Sequence, residues 1–303
     1  MAKEIFIERK EYNNVITIKL VFPTICNYDC VFCYNKDKEQ SKASKFEFLV
    51  NFMDSLNKLI LTIGKQNPIS LDITGGEPTM DVALFIDVMR QLREYRIQEK
   101  VCRVTLTTNG LHLKECARYM DDVVNYVNIS VHDFDMERRR QIVQTNRTLF
   151  TDEDYRDVVD DLRDHGITAS ATAVIHKEIA DFAQWRDQFI AWAKVQGFIA
   201  LRFRCDVFWK SDCFDRYLKE TLMDEQFQVL VHEETPDSHW CRLRMADKFR
   251  VFFLHGVLDT SLHTKGIEYI IDTDGKCYCD YYRRTPIEDY AYPIGRIFDK
   301  KQE

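Results

Sequence analysis

Three cysteines within one short stretch, Cys26, Cys30 and Cys33, constrain this chain more than any other feature. Their spacing is C-x3-C-x2-C, with Phe32 just before the third. The run ahead of them, Val15 to Phe22, is apolar and β-branched and reads as a buried strand. The triplet therefore sits on a loop at the end of the first strong strand. Three thiolates on such a loop can converge on one metal centre, yet they leave a fourth coordination position for something else. Structural zinc wants a fourth protein ligand. No histidine lies near the triplet, and the next cysteine is Cys102. A [4Fe–4S] cluster tolerates three cysteine ligands when its fourth iron takes a non-protein ligand. Zinc, an iron–sulfur cluster and no metal at all remain the three readings of the loop taken alone.

Composition narrows the setting. A chain of 303 residues with 45% hydrophobic and 30% charged content reads as one large α/β domain with an appendage. The formal charge of −7 disfavours a general nucleic-acid binder. The first residues carry no signal-peptide pattern and no apolar run spans a bilayer, so the expected location is the cytoplasm, with no membrane partner. Ten cysteines in such a chain point to metal binding or chemistry rather than to disulfides. Cys102 and Cys116 each lie alone in an ordinary segment and read as small buried hydrophobes.

The periodicity predicts a helix through Phe48, Phe52, Leu56, Leu59 and Ile63, stopped by Gly64, and a second through Leu84, Phe85, Val88 and Leu92. A short one is expected around 114–120, another opens with the capping box Thr151/Asp154, and one carries Phe182, Trp185, Phe189 and Trp192. Strands are predicted at 15–22, 69–73, 101–108, 124–131, 168–175 and 198–207. Strand–helix alternation at this spacing implies βαβ units, a parallel sheet and right-handed crossovers. The expected organisation is an edge segment (1–14), an α/β unit of six βα repeats (15–235) and a small β-rich cap (236–303) with a hairpin at Asp274-Gly275.

In a parallel α/β sheet, function gathers at the carboxyl ends of the strands. The cysteine loop ends strand one, Thr74-Gly75-Gly76-Glu77-Pro78 ends strand two, Thr107-Thr108-Asn109-Gly110 ends strand three and Ser130-Val131-His132-Asp133 ends strand four. All then face one mouth. Gly75 and Gly76 let a backbone approach a ligand closely, and Glu77 could hold an ammonium group. Simpler readings stand beside these: Asn109-Gly110 as a turn, His132 as an ordinary hydrogen-bonded histidine, and Arg138-Arg139-Arg140 as a solvated face or an anion holder. The Trp185/Phe189/Trp192 stripe reads as core.

With those residues in place, the chain resembles the radical S-adenosylmethionine (radical SAM) enzymes over about residues 15–210. The resemblance rests on the C-x3-C-x2-C loop, Gly-Gly-Glu-Pro, Thr-Thr-Asn-Gly and the Ile-Ser of strand four, in that order. It implies a partial (β/α)6 TIM-type barrel. It implies that Cys26, Cys30 and Cys33 hold a [4Fe–4S] cluster whose open iron takes the methionine end of S-adenosylmethionine. Gly75, Gly76 and Glu77 match the segment that holds the amino group, Phe32 the residue beside the adenine, and Ser130 a ribose or carboxylate contact. Thr107 and Asn109 match positions facing the same cavity. An electron donor such as flavodoxin or ferredoxin is implied as partner.

Cys205, Cys213, Cys241, Cys277 and Cys279 crowd the last third. The segment 271–279, followed by Pro293-Ile294-Gly295-Arg296-Ile297, resembles the start of a SPASM or twitch extension. No cysteine follows Cys279, which excludes a full two-cluster SPASM domain. One auxiliary cluster, or a degenerate extension without metal, is the expectation. The function so read is hydrogen abstraction from a peptide or small metabolite. The alternatives are a nucleotide- or sugar-directed radical SAM dehydratase or dehydrogenase, with two short pieces loosely similar to viperin-like dehydratases, and a non-catalytic zinc or iron–sulfur module.

Overall fold

The computed structural model describes residues 16–23, 25–33, 43–62, 68–145, 147–206, 212–235, 238–256 and 268–278. The expected edge segment 1–14, Gly64, Cys279 and the 293–297 motif lie outside the described residues.

Six strands run parallel in chain order: β1 (Ile16–Phe22), β2 (Ile69–Gly75), β3 (Val101–Thr108), β4 (Tyr126–Ser130), β5 (Thr168–Ile175) and β6 (Ala200–Cys205). Helices α1 (Lys45–Thr62), α2 (Val82–Ile97), α3 (Leu113–Met120), α4 (Met136–Val143), α5 (Asp152–Asp164) and α6 (Phe182–Val195) fill the crossovers. Each strand alternates. Ile18, Leu20, Leu71, Ile73, Val104, Leu106, Val127, Ile129, Leu201 and Phe203 are buried in one core with Phe52, Leu56, Phe85, Val88, Val158 and Phe189 of the helices. The intervening positions, such as Lys19, Asp72, Thr105, Asn128 and Arg202, are polar and face the other way. One face of the sheet thus carries the helices and the other is a polar interior, as in the partial TIM barrel expected.

Local chemistry sets the helix starts. Asp81, Asp135 and Asp181 accept hydrogen bonds from the first free N–H groups of α2, α4 and α6. Thr151 and Asp154 form the predicted reciprocal capping box of α5. Cys116 is fully buried in α3. Cys102 is half-buried at the point where the β2–β3 register shifts.

The sheet does not stop at β6. After α7 (Asp212–Leu222), β7 (Gln228–Thr235), β8 (Ser238–Arg244) and β9 (Arg250–Gly256) form an antiparallel meander, and β9 pairs parallel with β6. At the opposite edge β10 (Glu268–Ile271) pairs parallel with β1 and turns at Gly275 into β11 (Cys277–Tyr278). The order is β11-β10-β1-β2-β3-β4-β5-β6-β9-β8-β7, one sheet of 11 strands. A boundary at 235/236 therefore falls inside the β7–β8 hairpin. The residues beyond it extend the barrel sheet at both edges. Among the described residues, no helix is long and apolar enough to cross a membrane.

Candidate functional site

The cysteine loop leaves β1 and is pinned from three sides. Glu77 donates its backbone N–H to the Ile25 carbonyl (2.9 Å). The N–H groups of Asp29 and Val31 reach the Val143 and Ile142 carbonyls (2.9 and 3.0 Å), at the end of α4. The Thr145 hydroxyl donates to the Asn27 carbonyl (3.0 Å). Beneath the loop, Tyr28, Cys30 and Phe32 pack on Ile142, Val143 and Leu149. Helix α4 is eight residues long, and half of them are charged, so its apolar signal is short. Sequence reasoning missed it, although Asp135 as N-cap ahead of Ile142 and Val143 marks it.

Glu77 is the brace between strand ends. It is 3% exposed. Its Oε1 accepts from the Thr79 N–H (3.0 Å), the Thr79 hydroxyl (2.7 Å) and the Thr108 hydroxyl (2.5 Å). Its Oε2 accepts from the Asn109 N–H (2.7 Å). Burial pushes its carboxyl pKa up, against the pull of those four donors. The carboxylate ties the end of β2 to the end of β3 through donors of both strand ends. Gly75 has φ +142°, and a Cβ there would sit 2.5 Å from the Phe22 carbonyl oxygen. Only glycine lets β1 and β2 meet this closely where the cysteine loop departs.

Asn109, also buried, points the other way. Its side-chain nitrogen donates to Asn27 Oδ1 (2.7 Å) and lies 3.8 Å from Cys26 Sγ. The Cys26 thiol is held above its ordinary pKa by burial, reinforced by the nearby Glu77 and Cys33 charges and opposed by the Tyr28 N–H. Phe32 lies against two histidines at the ends of β4 and β5, with ring centroids 4.8 Å from His132 and 5.7 Å from His176. His132 sits at φ +68° and takes the Val174 N–H on Nδ1 (3.3 Å), and burial drives its pKa down to about 3. It is a neutral imidazole. His176 follows β5 as His132 follows β4. The strand-end rule that singled out His132 identifies His176 equally well.

Ser130 and Thr107 are half-buried on the interior side of their strands, below this mouth. The arginine run has two fates. Arg138 pairs with Asp133 (3.0 Å). Arg139, 1% exposed, donates to the carbonyls of Asp133, Phe150 and Phe134 and stacks on Tyr155 and Trp192. Trp185 packs on Phe189 and donates to Asp133 (3.1 Å), as a core residue should.

Among the described residues, no three His, Cys, Asp or Glu side chains close around a single ion. Ile25 and Val31, beside the cysteines, are exposed apolar side chains on a pinned loop. The loop thus offers three sulfurs and an apolar rim, which fits a cluster with a bound organic ligand. Cys205 and Cys241 face the helix-packed core, where burial raises their thiols to about 12 and about 11. Cys277 is buried on β11, and Cys213 is partly buried on α7. The described residues give an auxiliary cluster no common centre.

Comparison with known proteins follows the same lines. The model of the Radical SAM superfamily matches residues 20–184. A probable GTP 3′,8-cyclase of Thermoplasma volcanium is 29% identical over 134 residues, which is 44% of this chain and 37% of that protein. One from Pyrobaculum aerophilum is 28% identical over 165 residues, 51% and 46% of the two chains. The chain thus matches less than half the length of these curated relatives. Among solved structures, Streptococcus suis SuiB bound to S-adenosylmethionine superposes with a TM-score of 0.61 at 13% identity, over 95% of this chain and 67% of that one. The enzyme anSMEcpe, with bound AdoMet and a peptide, gives 0.57 at 14% identity, over 91% and 78%. These two likenesses concern the fold.

Proposed function

The chain belongs to the radical SAM superfamily, whose enzymes use a [4Fe–4S] cluster and S-adenosylmethionine, and on that premise we propose that Cys26, Cys30 and Cys33 hold the cluster at the mouth of the 15–235 barrel. Held there, the cluster would supply the single electron for reductive cleavage of S-adenosylmethionine, the chemistry that would start hydrogen abstraction from the substrate. The observation that carries this reading is the cysteine loop fixed at the strand ends by Glu77, Thr145 and α4.

The chain's own residues then have distinct tasks. Asn109 directs an N–H toward Cys26 Sγ and eases negative charge on that sulfur. Glu77 and Gly75 set the β1–β2 gap and leave the Gly75 and Gly76 backbone facing the cofactor. Phe32, backed by His132 and His176, offers an aromatic side for the adenine. Ser130 and Thr107 face the interior, toward ribose and substrate. The substrate is a peptide or small metabolite. The curated relatives carry the name GTP 3′,8-cyclase, which favours the nucleotide-directed form of the proposal. A flavodoxin or ferredoxin delivers the electron.

Anaerobic reconstitution tests the proposal. The expected product is a brown protein with three to four irons bound by the triplet that makes 5′-deoxyadenosine from S-adenosylmethionine and dithionite. Cys30→Ala abolishes that product. A colourless zinc protein that keeps its metal in air, or cleavage retained by Cys30→Ala, overturns it.

A further inference from the structure

The overall charge is −7, yet the interior face of β6, β9 and β8 is strongly basic. Residues paired across neighbouring strands share a face. One continuous cross-strand row runs Ser130, Thr172, Arg202, Phe252, Arg242. One row toward the mouth Arg204 lies on the same face, and one row away from it Arg250 pairs with Arg244. The opposite face of these strands carries Phe203, Val251, Phe253, Cys241 and Leu243, all buried in the helix-covered core. The arginines therefore point into the barrel.

Among the described residues, two atoms of the central row lack hydrogen-bond partners. Thr172 is 3% exposed, and its hydroxyl has no hydrogen-bond partner. The Nε of Arg242 is also buried without a partner. A buried polar atom left without a partner is costly, so two on one row mark a place that a ligand completes. Arg202 is already oriented: its guanidinium lies 4.2 Å from the Phe252 ring centroid, and its Nε donates to Ser170 (3.1 Å). Burial and the Arg204, Arg250 and Arg103 charges lower the Arg202 pKa to about 10, with Asp72 opposing them. Asp72 in turn stands beside Lys19 in the β1–β2 register. Positive charge crowded in this way is relieved by an anion, and planar guanidinium groups suit the paired oxygens of phosphate. The space between Arg202 and Arg250 is a cavity of about 20 Å³, room for one water. The anion therefore sits on the mouthward side, where Arg204 is exposed.

We propose that the interior face of β6, β9 and β8 binds the phosphate group of a small-molecule substrate, held by Arg202, Arg204 and Arg242 with Thr172. This site rests on the radical reading only in its use. The strands that follow β6 supply Arg242 and Arg250, so the last third of the chain builds the substrate side of the barrel.

The probe is inorganic tripolyphosphate, titrated calorimetrically into the anaerobically reconstituted holoprotein, with inorganic phosphate and citrate as comparison anions. Wild type binds tripolyphosphate more tightly than citrate, with an affinity that falls as salt rises. Arg242→Gln weakens it roughly tenfold to a hundredfold. Arg242→Lys, which keeps the charge and loses the fork, falls between. Arg163→Gln, on the outer surface, leaves both binding and 5′-deoxyadenosine formation unchanged. Should Arg242→Gln fail to fold, Thr172→Val provides the second measurement and weakens binding severalfold. Equal affinity for citrate, or a folded Arg242→Gln that binds as wild type does, overturns the site. Wild type that forms 5′-deoxyadenosine and ignores tripolyphosphate refutes this site alone. Wild type that binds tripolyphosphate and forms no 5′-deoxyadenosine supports the site and refutes the radical reading.

Discussion

Glu77→Gln separates a bracing carboxylate from one that reaches a ligand. In the wild type Oε1 accepts from the Thr79 N–H and from the Thr79 and Thr108 hydroxyls, and Oε2 from the Asn109 N–H. The hydroxyls can reverse their donation; the two backbone N–H groups cannot. Whichever way the glutamine amide turns, its NH2 faces one of them. One buried N–H is orphaned, at about 1–3 kcal/mol, and the bonds to the amide oxygen lose the assistance of charge. Together the cost is about 3 kcal/mol. Unfolding entropy near 2.1 cal/mol/K per residue over 303 residues is about 0.64 kcal/mol/K. The midpoint then falls by about 5 °C. The measurement is thermal unfolding by circular dichroism of the iron-free protein without S-adenosylmethionine. A variant that melts within a degree of wild type and yet loses S-adenosylmethionine binding refutes the bracing argument.

Three further outcomes follow. The His132 pKa lies near 3 in the fold against 6.5 as reference, so below pH 6.5 the unfolded chain takes up a proton that the folded chain refuses. Stability falls as pH falls, by about 2.3 kcal/mol between pH 6.5 and about 4.5. His132→Asn, which tolerates φ +68° and keeps an acceptor, flattens that limb in urea titrations. Gly275→Ala places a Cβ 2.6 Å from the Phe48 carbonyl oxygen at φ +75°, and urea midpoints should report a loss of about 3 kcal/mol. Arg139→Lys cannot reproduce the fork that serves three carbonyls, and loses about 2 kcal/mol in the same assay.

The parallel core was legible because each strand is a short apolar run and each helix shows its own period. Strand β5 appears with the predicted ends, Thr168 to Ile175. The mouth was legible because Cys26, Gly75, Asn109 and Ser130 all end strands. What escaped was non-local. Nothing in Glu268–Ile271 indicates that its partner is β1, nor in Arg250–Gly256 that its partner is β6, because pairing depends on register across the whole chain. Local pattern made these strands look like a separate cap. Glu77 was legible as a polar residue at a strand end, but not as a carboxylate that accepts from Thr79, Thr108 and Asn109. Those donors come from two strand ends, and only the fold brings them together.

The Gly275 turn lies against α1, where Asn51 donates to the Asp274 carbonyl and Ser55 to that of Gly275 (both 2.9 Å). It holds β10 beside β1, so Thr17 pairs with Glu268, a separation of 251 residues. Closing a loop of that length costs about 5 kcal/mol in chain entropy. The strand that leads into the cysteines is therefore enclosed on this side only by a partner far along the chain. Until residues 268–278 arrive, one side of β1 is an open edge, ready to pair with another chain. The frame of β1 is thus completed by the far end of the described sheet, while the cysteine loop itself is held by Glu77, α4 and Thr145.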